Sequence, residues 1–279
     1  MSTFLVLGGT GKVGRRLGQS LTSAGHVVRA GSRHGPAHFD WADPGTWPAA
    51  LAGTDGVFIV GPGSATDWSP RLAGLLERAL DSGVRQAVLL SARGVEFLPG
   101  GAVDRAEQAL RAGPLSWTIL RPSHFAQNFT EAMFVPVDGL ITAPVGTGAE
   151  PFIDVADIAD VAAAALASDA WNEATLGLSG PEAITFDEAA TILTEVSGTP
   201  VRFADESDDD HVARLRAAGT PEGYVEWRMA MLGGIRRGAD AYLSDGVQTV
   251  LGRPPTAFRD WARQEVPAAP WAQAGNRAS

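Results

Sequence analysis

The sequence predicts an α/β fold organised on a Rossmann-type, doubly wound parallel sheet. Two observations carry this reading. Short apolar runs alternate with amphipathic, helix-spaced segments, and the first run passes through a glycine-rich turn straight into a helix. In Phe4-Leu-Val-Leu-Gly-Gly-Thr-Gly-Lys-Val-Gly-Arg-Arg-Leu17, four apolar residues precede the turn, and Val13, Leu17 and Leu21 then fall on one helix face. Gly8, Gly11 and Gly14 stand where the turn needs positive φ, where backbone approaches a ligand, and where helix packs on strand. The free N–H groups and positive dipole end of this helix suit a pyrophosphate. Gly8, Thr10, Gly11, Lys12, Val13 and Gly14 are therefore expected to hold a dinucleotide.

The choice of dinucleotide turns on a missing carboxylate. An NAD site places Asp or Glu about 20 residues on, at the end of the second strand, to bind the ribose hydroxyls. No acidic residue occurs between Gly8 and Phe39; the strand His26–Ala30 runs instead into Gly31-Ser32-Arg33-His34. A hydroxyl and a guanidinium there suit a 2′-phosphate. Ser32 and Arg33, with Lys12 adding charge on the same side, point to NADP(H).

The remaining elements follow in order. A short helical stretch is expected from Pro44 to Leu51, and a strand buried on both faces at Val57–Val60. That strand ends in Gly61-Pro-Gly63, a second glycine turn at the sheet edge where ligands bind. Ser69-Pro70 reads as N-cap and first position of a helix to Asp81. Gln86–Leu90 is the fifth strand, followed by Ser91-Ala-Arg-Gly94 and a helix from Ala102 to Ala112. Trp117–Leu120 is the sixth strand. Gly139–Pro151 reads as an extended excursion. Asp154-Val-Ala-Asp-Ile158 precedes an alanine-rich helix, Ala159–Ala167, its acids matched to the helix dipole. A strand is expected at Leu176–Ser179, a capping box at Thr185–Glu188 opening a helix to Val196, and a small strand at Pro200–Ala204. Helical stretches with breaks near Gly219–Pro221 and Gly252–Pro255 reach Glu265. The tail 266–279 lacks periodicity and is expected to be disordered. Asp205-Glu-Ser-Asp-Asp-Asp-His211 lacks the spacing and glycine of a calcium loop, so it reads as a solvated helix start and no metal is expected.

Composition narrows the function. A 279-residue chain that is 45% apolar has material for a sizeable core. A formal charge of −10 without a basic patch disfavours nucleic acid. The absence of cysteine excludes disulfides, thiolate zinc sites and a cysteine nucleophile. No apolar run approaches the ~18 residues of a membrane span, and Phe4–Leu7 is too short for a signal peptide. A cytoplasmic protein without membrane partners, monomeric or homodimeric, is expected. One count matters most: Lys12 is the only lysine, and Tyr224 and Tyr242 are the only tyrosines. The Tyr-x-x-x-Lys pair of ordinary short-chain dehydrogenases cannot be built here.

Three stretches then carry a family likeness. Leu7-Gly-Gly-Thr-Gly-Lys-Val-Gly14, Thr118-Ile-Leu-Arg-Pro-Ser-His-Phe-Ala-Gln-Asn-Phe129 and Asp154-Val-Ala-Asp-Ile158 together resemble the NmrA-like atypical short-chain dehydrogenases. Phe39–Trp47 and Gly252–Trp261 look like the subgroup of festuclavine/agroclavine dehydrogenases and their bacterial relatives. The likeness extends to about Glu265. It implies NADP(H) along the strand ends, with Asp40 and Trp41 near the adenine, Gly61 and Pro62 along the cofactor, and Ser91 near the nicotinamide ribose. Pro122–Asn128 would line the nicotinamide pocket, with Arg93, Ser123, His124, Phe125 and Asn128 facing substrate. A nucleotide-binding domain, 1–135 with sheet contributions from about 150–180, would carry a smaller C-terminal α+β substrate lobe, 136–265. Secondary metabolism is the implied setting. Where relatives carry an active lysine after the fifth strand, this chain has Asp104-Arg105.

The expected function is therefore a reductase moving hydride from NADPH to an electrophilic small molecule, an iminium, a quinone or an enone. None of these needs a strong proton donor. His124, titrating near neutrality after a strand's C-terminal end, is the candidate for proton transfer. The rival readings are an NADP(H)-binding redox sensor, and a fold recruited to a non-redox biosynthetic step.

Overall fold

The computed structural model describes residues 1–63 and 65–275. Seven parallel strands form the central sheet in the order β3-β2-β1-β4-β5-β6-β9. They are β1 (Thr3–Leu7), β2 (Val27–Ser32), β3 (Ala37–His38), β4 (Gly56–Ile59), β5 (Gln86–Leu90), β6 (Ser116–Pro122) and β9 (Ala174–Leu178). Order reverses between β1 and β4, which opens the crevice where such sheets bind ligands.

Strand alternation sorts the two cores. Leu5, Leu7, Val57, Ile59 and Leu89 face α2 (Trp47–Leu51), α3 (Ser69–Asp81) and α4 (Ala102–Arg111). Phe4, Val6, Phe58, Val88 and Leu120 face α1 (Lys12–Ser23) and α6 (Val155–Ala167). The central strands β1, β4 and β5 thus bury both faces, the reason these runs are almost continuously apolar.

The C-terminal part of the chain builds a third core around Phe129, Phe134, Phe152, Phe186, Phe258 and Trp261. It takes in α5 (Asn128–Glu131), β7 (Leu140–Ala143), β8 (Ala149–Glu150), β10 (Ile184–Thr185), α7 (Phe186–Ser197), β11 (Arg202–Asp205), α9 (Glu222–Arg236), α11 (Phe258–Glu265) and α12 (Pro270–Gly275); α8 (Asp208–Ala217) packs on α9, and α10 (Gly246–Leu251) packs on α6 and β9 of the main sheet. Two small sheets, β10-β8 and β11-β7, brace it. The expected capping box is present, Thr185 and Glu188 exchanging side-chain and backbone bonds.

Four elements differ from expectation. The excursion 139–151 contains β7 and β8, because β11 and β10 supply the backbone partners that its glycines and prolines obscured. Helix α6 begins at Val155, four residues early, since Asp154 accepts from Ala156 N–H and serves as N-cap. Helix α3 begins at Ser69, whose N–H and hydroxyl both donate to Asp67, so Ser69 is inside the helix rather than its cap. The tail is ordered as far as Gly275. A 3-10 turn at Val266–Ala268 leads into α12, Val266 and Ala272 are buried, and Trp271 donates its indole N–H to Phe129 O at 3.0 Å. Burial of isolated apolar side chains in an existing groove leaves no periodicity to read. Residues 276–279 lie outside the described part. No helix among the described residues is long and apolar enough to cross a membrane.

Candidate active site

The N-terminal turn is built as its glycines require. Gly8 has φ +67°, and Gly11 N–H closes the turn on Gly8 O at 2.8 Å. A Cβ on Gly14 would stand 2.2 Å from Gly8 O, so the helix can sit against the strand only there without a side chain. Gly11 is the N-cap of α1 in extended conformation, and no side chain caps the helix. The first-turn N–H groups therefore remain available to an anion, and no acidic side chain sits among them.

Beside the turn lies a hollow of about 370 Å³, lined by Gly8, Ser32, Arg33, Asp40, Trp41, Gly61, Pro62 and Arg71 among others. Seven of these were expected from sequence; they come from the ends of β1, β2, β3 and β4. Trp41 is fixed by its indole N–H on Val60 O at 3.0 Å and by edge contact with Trp68. Gly61 is demanded by the same Trp68, whose ring would lie 2.4 Å from a Cβ. Asp40 turns Oδ1 to Ala42 N–H. Arg71, on the exposed side of α3, is new. As the third residue of a regular helix it gives no sequence signal. A second hollow, about 470 Å³, lies at the opposite strand ends around Asp55, Arg85 and Ser168, away from the crevice.

Lys12 differs from expectation. Its ammonium lies 3.2 Å from Asn128 Oδ1, away from the Ser32–Arg33 side. The first turn of α1 faces the segment after β6, and the side chain follows it. Burial pulls this ammonium below its ordinary range, against the attraction of Glu131.

Beyond β5 and β6 the expected pocket residues are committed to interior bonds. Ser91 donates to Glu107 Oε1 at 2.5 Å; Glu107 is wholly buried and also held by Arg121 at 2.6 Å and Arg111 at 3.0 Å. Ser123 donates to Pro151 O at 2.5 Å. Arg93, 1% exposed, donates to Asp240 Oδ1 (3.2 Å), Tyr242 O (2.8 Å) and Ser244 Oγ (2.8 Å). It anchors the segment 240–244 over the strand ends rather than facing a cleft. Phe125 bridges to Ile153. His124 is 5% exposed, its ring Nδ1 3.1 Å from Glu150 Oε1. Burial alone lowers the pKa of its imidazolium, but the charge and hydrogen bond of Glu150 and the charge of Asp240 more than offset this, leaving it raised above 6.5.

Among the described residues, Lys12, the only lysine of the sequence, bonds Asn128 and neither tyrosine. Tyr242 reaches the sheet edge, where its hydroxyl donates to Glu96 at 2.9 Å and its ring lies under Arg93 at 4.0 Å. Burial and Glu96, opposed by Arg93, push this phenol up to about 12. Its proximity comes from the 240–244 segment folding back, which chain position did not reveal. The acidic run 205–211 is a helix start: Ser207 caps α8, and Glu206 binds His211 at 2.6 Å.

Comparison with known proteins agrees with this geometry. The NAD(P)H-binding family profile matches residues 8–169. The uncharacterized oxidoreductase YesF of Bacillus subtilis is 32% identical over 92% of this chain and 93% of its own. Agroclavine dehydrogenase of Claviceps fusiformis is 31% identical over 93% of this chain and 96% of its own. Among solved structures, the Citrobacter sp. triphenylmethane reductase complexed with NADP(H) superimposes with a TM-score of 0.73 at 25% identity, covering 94% of this chain and 99% of that one. With its parallel sheet, its glycine turn and these relatives, which include festuclavine dehydrogenase of Aspergillus fumigatus, the chain belongs to the NAD(P)H-binding family, and its fold is that of the negative transcriptional regulator NmrA as well.

Proposed function

We propose that this protein is an NADPH-dependent reductase that acts on an electrophilic small molecule, an iminium, a quinone or an enone, without a tyrosine–lysine pair. The observation that carries the reading is the convergence, at one crevice, of an uncapped helix N-terminus with Ser32, Arg33 and Arg71. That donor set fits NADP(H). The first-turn N–H groups of α1 would hold the pyrophosphate, and Arg33 and Arg71 the 2′-phosphate. Trp41 and Asp40 would hold the adenine. The end of β2 carries no carboxylate to repel the extra phosphate.

When bound, NADPH supplies a hydride at the nicotinamide. The chain's own contribution is position, dryness and charge. Lys12 and Asn128 tie the glycine turn to the segment after β6, so the two walls of the crevice hold one spacing. Ser91, locked on Glu107, and Phe125, tied to Ile153, give a wall of fixed shape. Orientation and exclusion of water then supply most of the rate. The phenol at about 12, already donating to a carboxylate, is a poor acid. His124, whose imidazolium is favoured by the neighbouring Glu150, is the group able to release a proton where a quinone or enone oxygen needs one; an iminium carbon needs none.

A direct test is NADPH oxidation by the purified protein against a panel of iminium, quinone and enone substrates, with NADPH affinity measured in parallel. Substrate-dependent oxidation is expected. Tight NADPH binding with no turnover on any class would favour the sensor reading. Turnover of a substrate without cofactor oxidation would favour a non-redox step.

A further inference from the structure

Two buried oxygens in this protein lack any partner among the described residues, and they belong to neighbouring acids. Glu150, wholly buried, gives Oε1 to both the backbone N–H (2.8 Å) and the ring Nδ1 (3.1 Å) of His124, leaving Oε2 with none. Asp240, 1% exposed, gives Oδ1 to Arg93, leaving Oδ2 with none. One carboxyl oxygen of each and a ring nitrogen of His124 lie within 4.8 Å of one another. Two ionised carboxylates this close in a dry interior repel strongly, and each orphaned oxygen has lost water without gaining a hydrogen bond. One proton relieves both.

We propose that Glu150 and Asp240 share a single proton and that this pair positions His124, fixing its Nδ1–H inward so that Nε2 is the nitrogen left to act at the sheet edge. The tautomer follows from the acceptor: Glu150 Oε1 already takes the His124 backbone N–H and has no hydrogen to give, so Nδ1 must carry the proton. The charged groups around the pair support this assignment. Arg93 stands against Asp240, and Arg228 acts on His124 from α9; Tyr242 stacks on Arg93 with its hydroxyl turned to Glu96. With one proton shared, the pair carries one negative charge beside the Arg93 guanidinium, and the two balance without a bound metal. The pair also explains why the chain keeps an acid at Glu150, in a short strand otherwise facing an apolar core. Burial, with the charge of Glu150, lifts Asp240 to about 7.

The role in proton delivery rests on the reductase reading; the shared proton and the tautomer do not. Two measurements on the unliganded protein therefore come first. Infrared difference spectroscopy across the neutral range should show the C=O stretch of a neutral carboxyl, lost in both Asp240→Asn and Glu150→Gln. Nitrogen-15 NMR should show the neutral His124 as the Nδ1–H form. Asp240→Asn is the safe variant for folding, since its amide can donate permanently to Glu150 Oε2. In the third arm, pH profiles with a proton-requiring substrate should shift in Asp240→Asn while those with an iminium do not. No neutral-carboxyl band, or an Nε2–H tautomer, would overturn the proposal. So would saturable binding of Zn²⁺ by the wild type that raises its melting temperature and is abolished by Glu150→Gln, because the cluster would then be a metal site. A confirmed band and tautomer with no turnover on any substrate would overturn the reductase reading alone.

Discussion

The ammonium of Lys12 lies 3.2 Å from Oδ1 of Asn128, a bond across 116 residues that joins the start of α1 to the segment after β6. The only lysine in the chain is thus spent on the crevice, in the half remote from Arg33. Lys12→Met should therefore weaken NADPH and NADH alike, by about tenfold or ~1.4 kcal/mol each. Calorimetric titration of both cofactors checks this. A loss confined to NADPH would return Lys12 to the 2′-phosphate.

Arg33 and Arg71 make the complementary prediction. Replacing either by Ala should weaken NADPH by about 1.5–3 kcal/mol, the worth of a charge-assisted contact, and leave NADH nearly unchanged. Equal losses for both cofactors in either variant would remove that residue from phosphate recognition.

The glycine turn separates binding from folding. A Cβ on Gly11 would meet only Gly8 O, at 3.2 Å, whereas on Gly14 it would meet that oxygen at 2.2 Å. Gly11→Val should fold, at a cost of about 1 kcal/mol for an apolar N-cap, and lose NADPH binding. Gly14→Ala should lose stability first, by ~1–3 kcal/mol or more, because backbone must move. Denaturant melts and cofactor titrations on both variants read the two effects apart. A Gly11→Val protein that still binds NADPH with unchanged affinity would move the cofactor elsewhere.

The buried acids predict a pH dependence of stability. Asp240 titrates near 7 when folded and near its ordinary 3.8 when unfolded. Across that window the folded protein holds a proton that the unfolded chain has released, so this group's contribution falls as pH rises. His124, raised above 6.5, acts in the same sense at higher pH; His211, lowered by burial, acts oppositely below 6.5. Asp240→Asn removes the first contribution only. Its melting temperature should fall less than the wild type's between about pH 5 and pH 8, a span that brackets the raised value and lies above the unfolded one. Parallel melting curves would show that Asp240 carries no raised pKa.

The sheet was legible because its signals are local. Continuous apolar runs at Phe4–Leu7 and Val57–Ile59, and glycines at the first turn, each state their own conformation. The lining of the hollow beside the glycine turn was legible for the same reason: Ser32, Arg33, Trp41 and Gly61 follow strand ends within a few residues. What sequence did not reveal depends on returns of the chain. Arg71 faces the hollow only because α3 packs beside β4, and Arg93 is consumed by a segment some 150 residues on. Glu150, two residues inside a glycine-rich stretch, gave no sign of meeting both His124 and Asp240. The ordered tail was missed because Trp271 finds its partner at Phe129.

The central claim, hydride transfer without a tyrosine–lysine pair, is tested most directly by following deuterium. With C4-deuterated NADPH and an accepted electrophile, the label should appear at the reduced carbon of the product. Tyr224→Phe and Tyr242→Phe should each keep turnover within about tenfold, or ~1.4 kcal/mol of barrier. His124→Ala should cost more than either tyrosine with a proton-requiring substrate, up to the ~10²–10⁴-fold of general acid catalysis, and little in the chemical step with an iminium. Label transfer that survives both tyrosine changes is the predicted result. A thousandfold loss in Tyr242→Phe would contradict the account, making the phenol over Arg93 the acid.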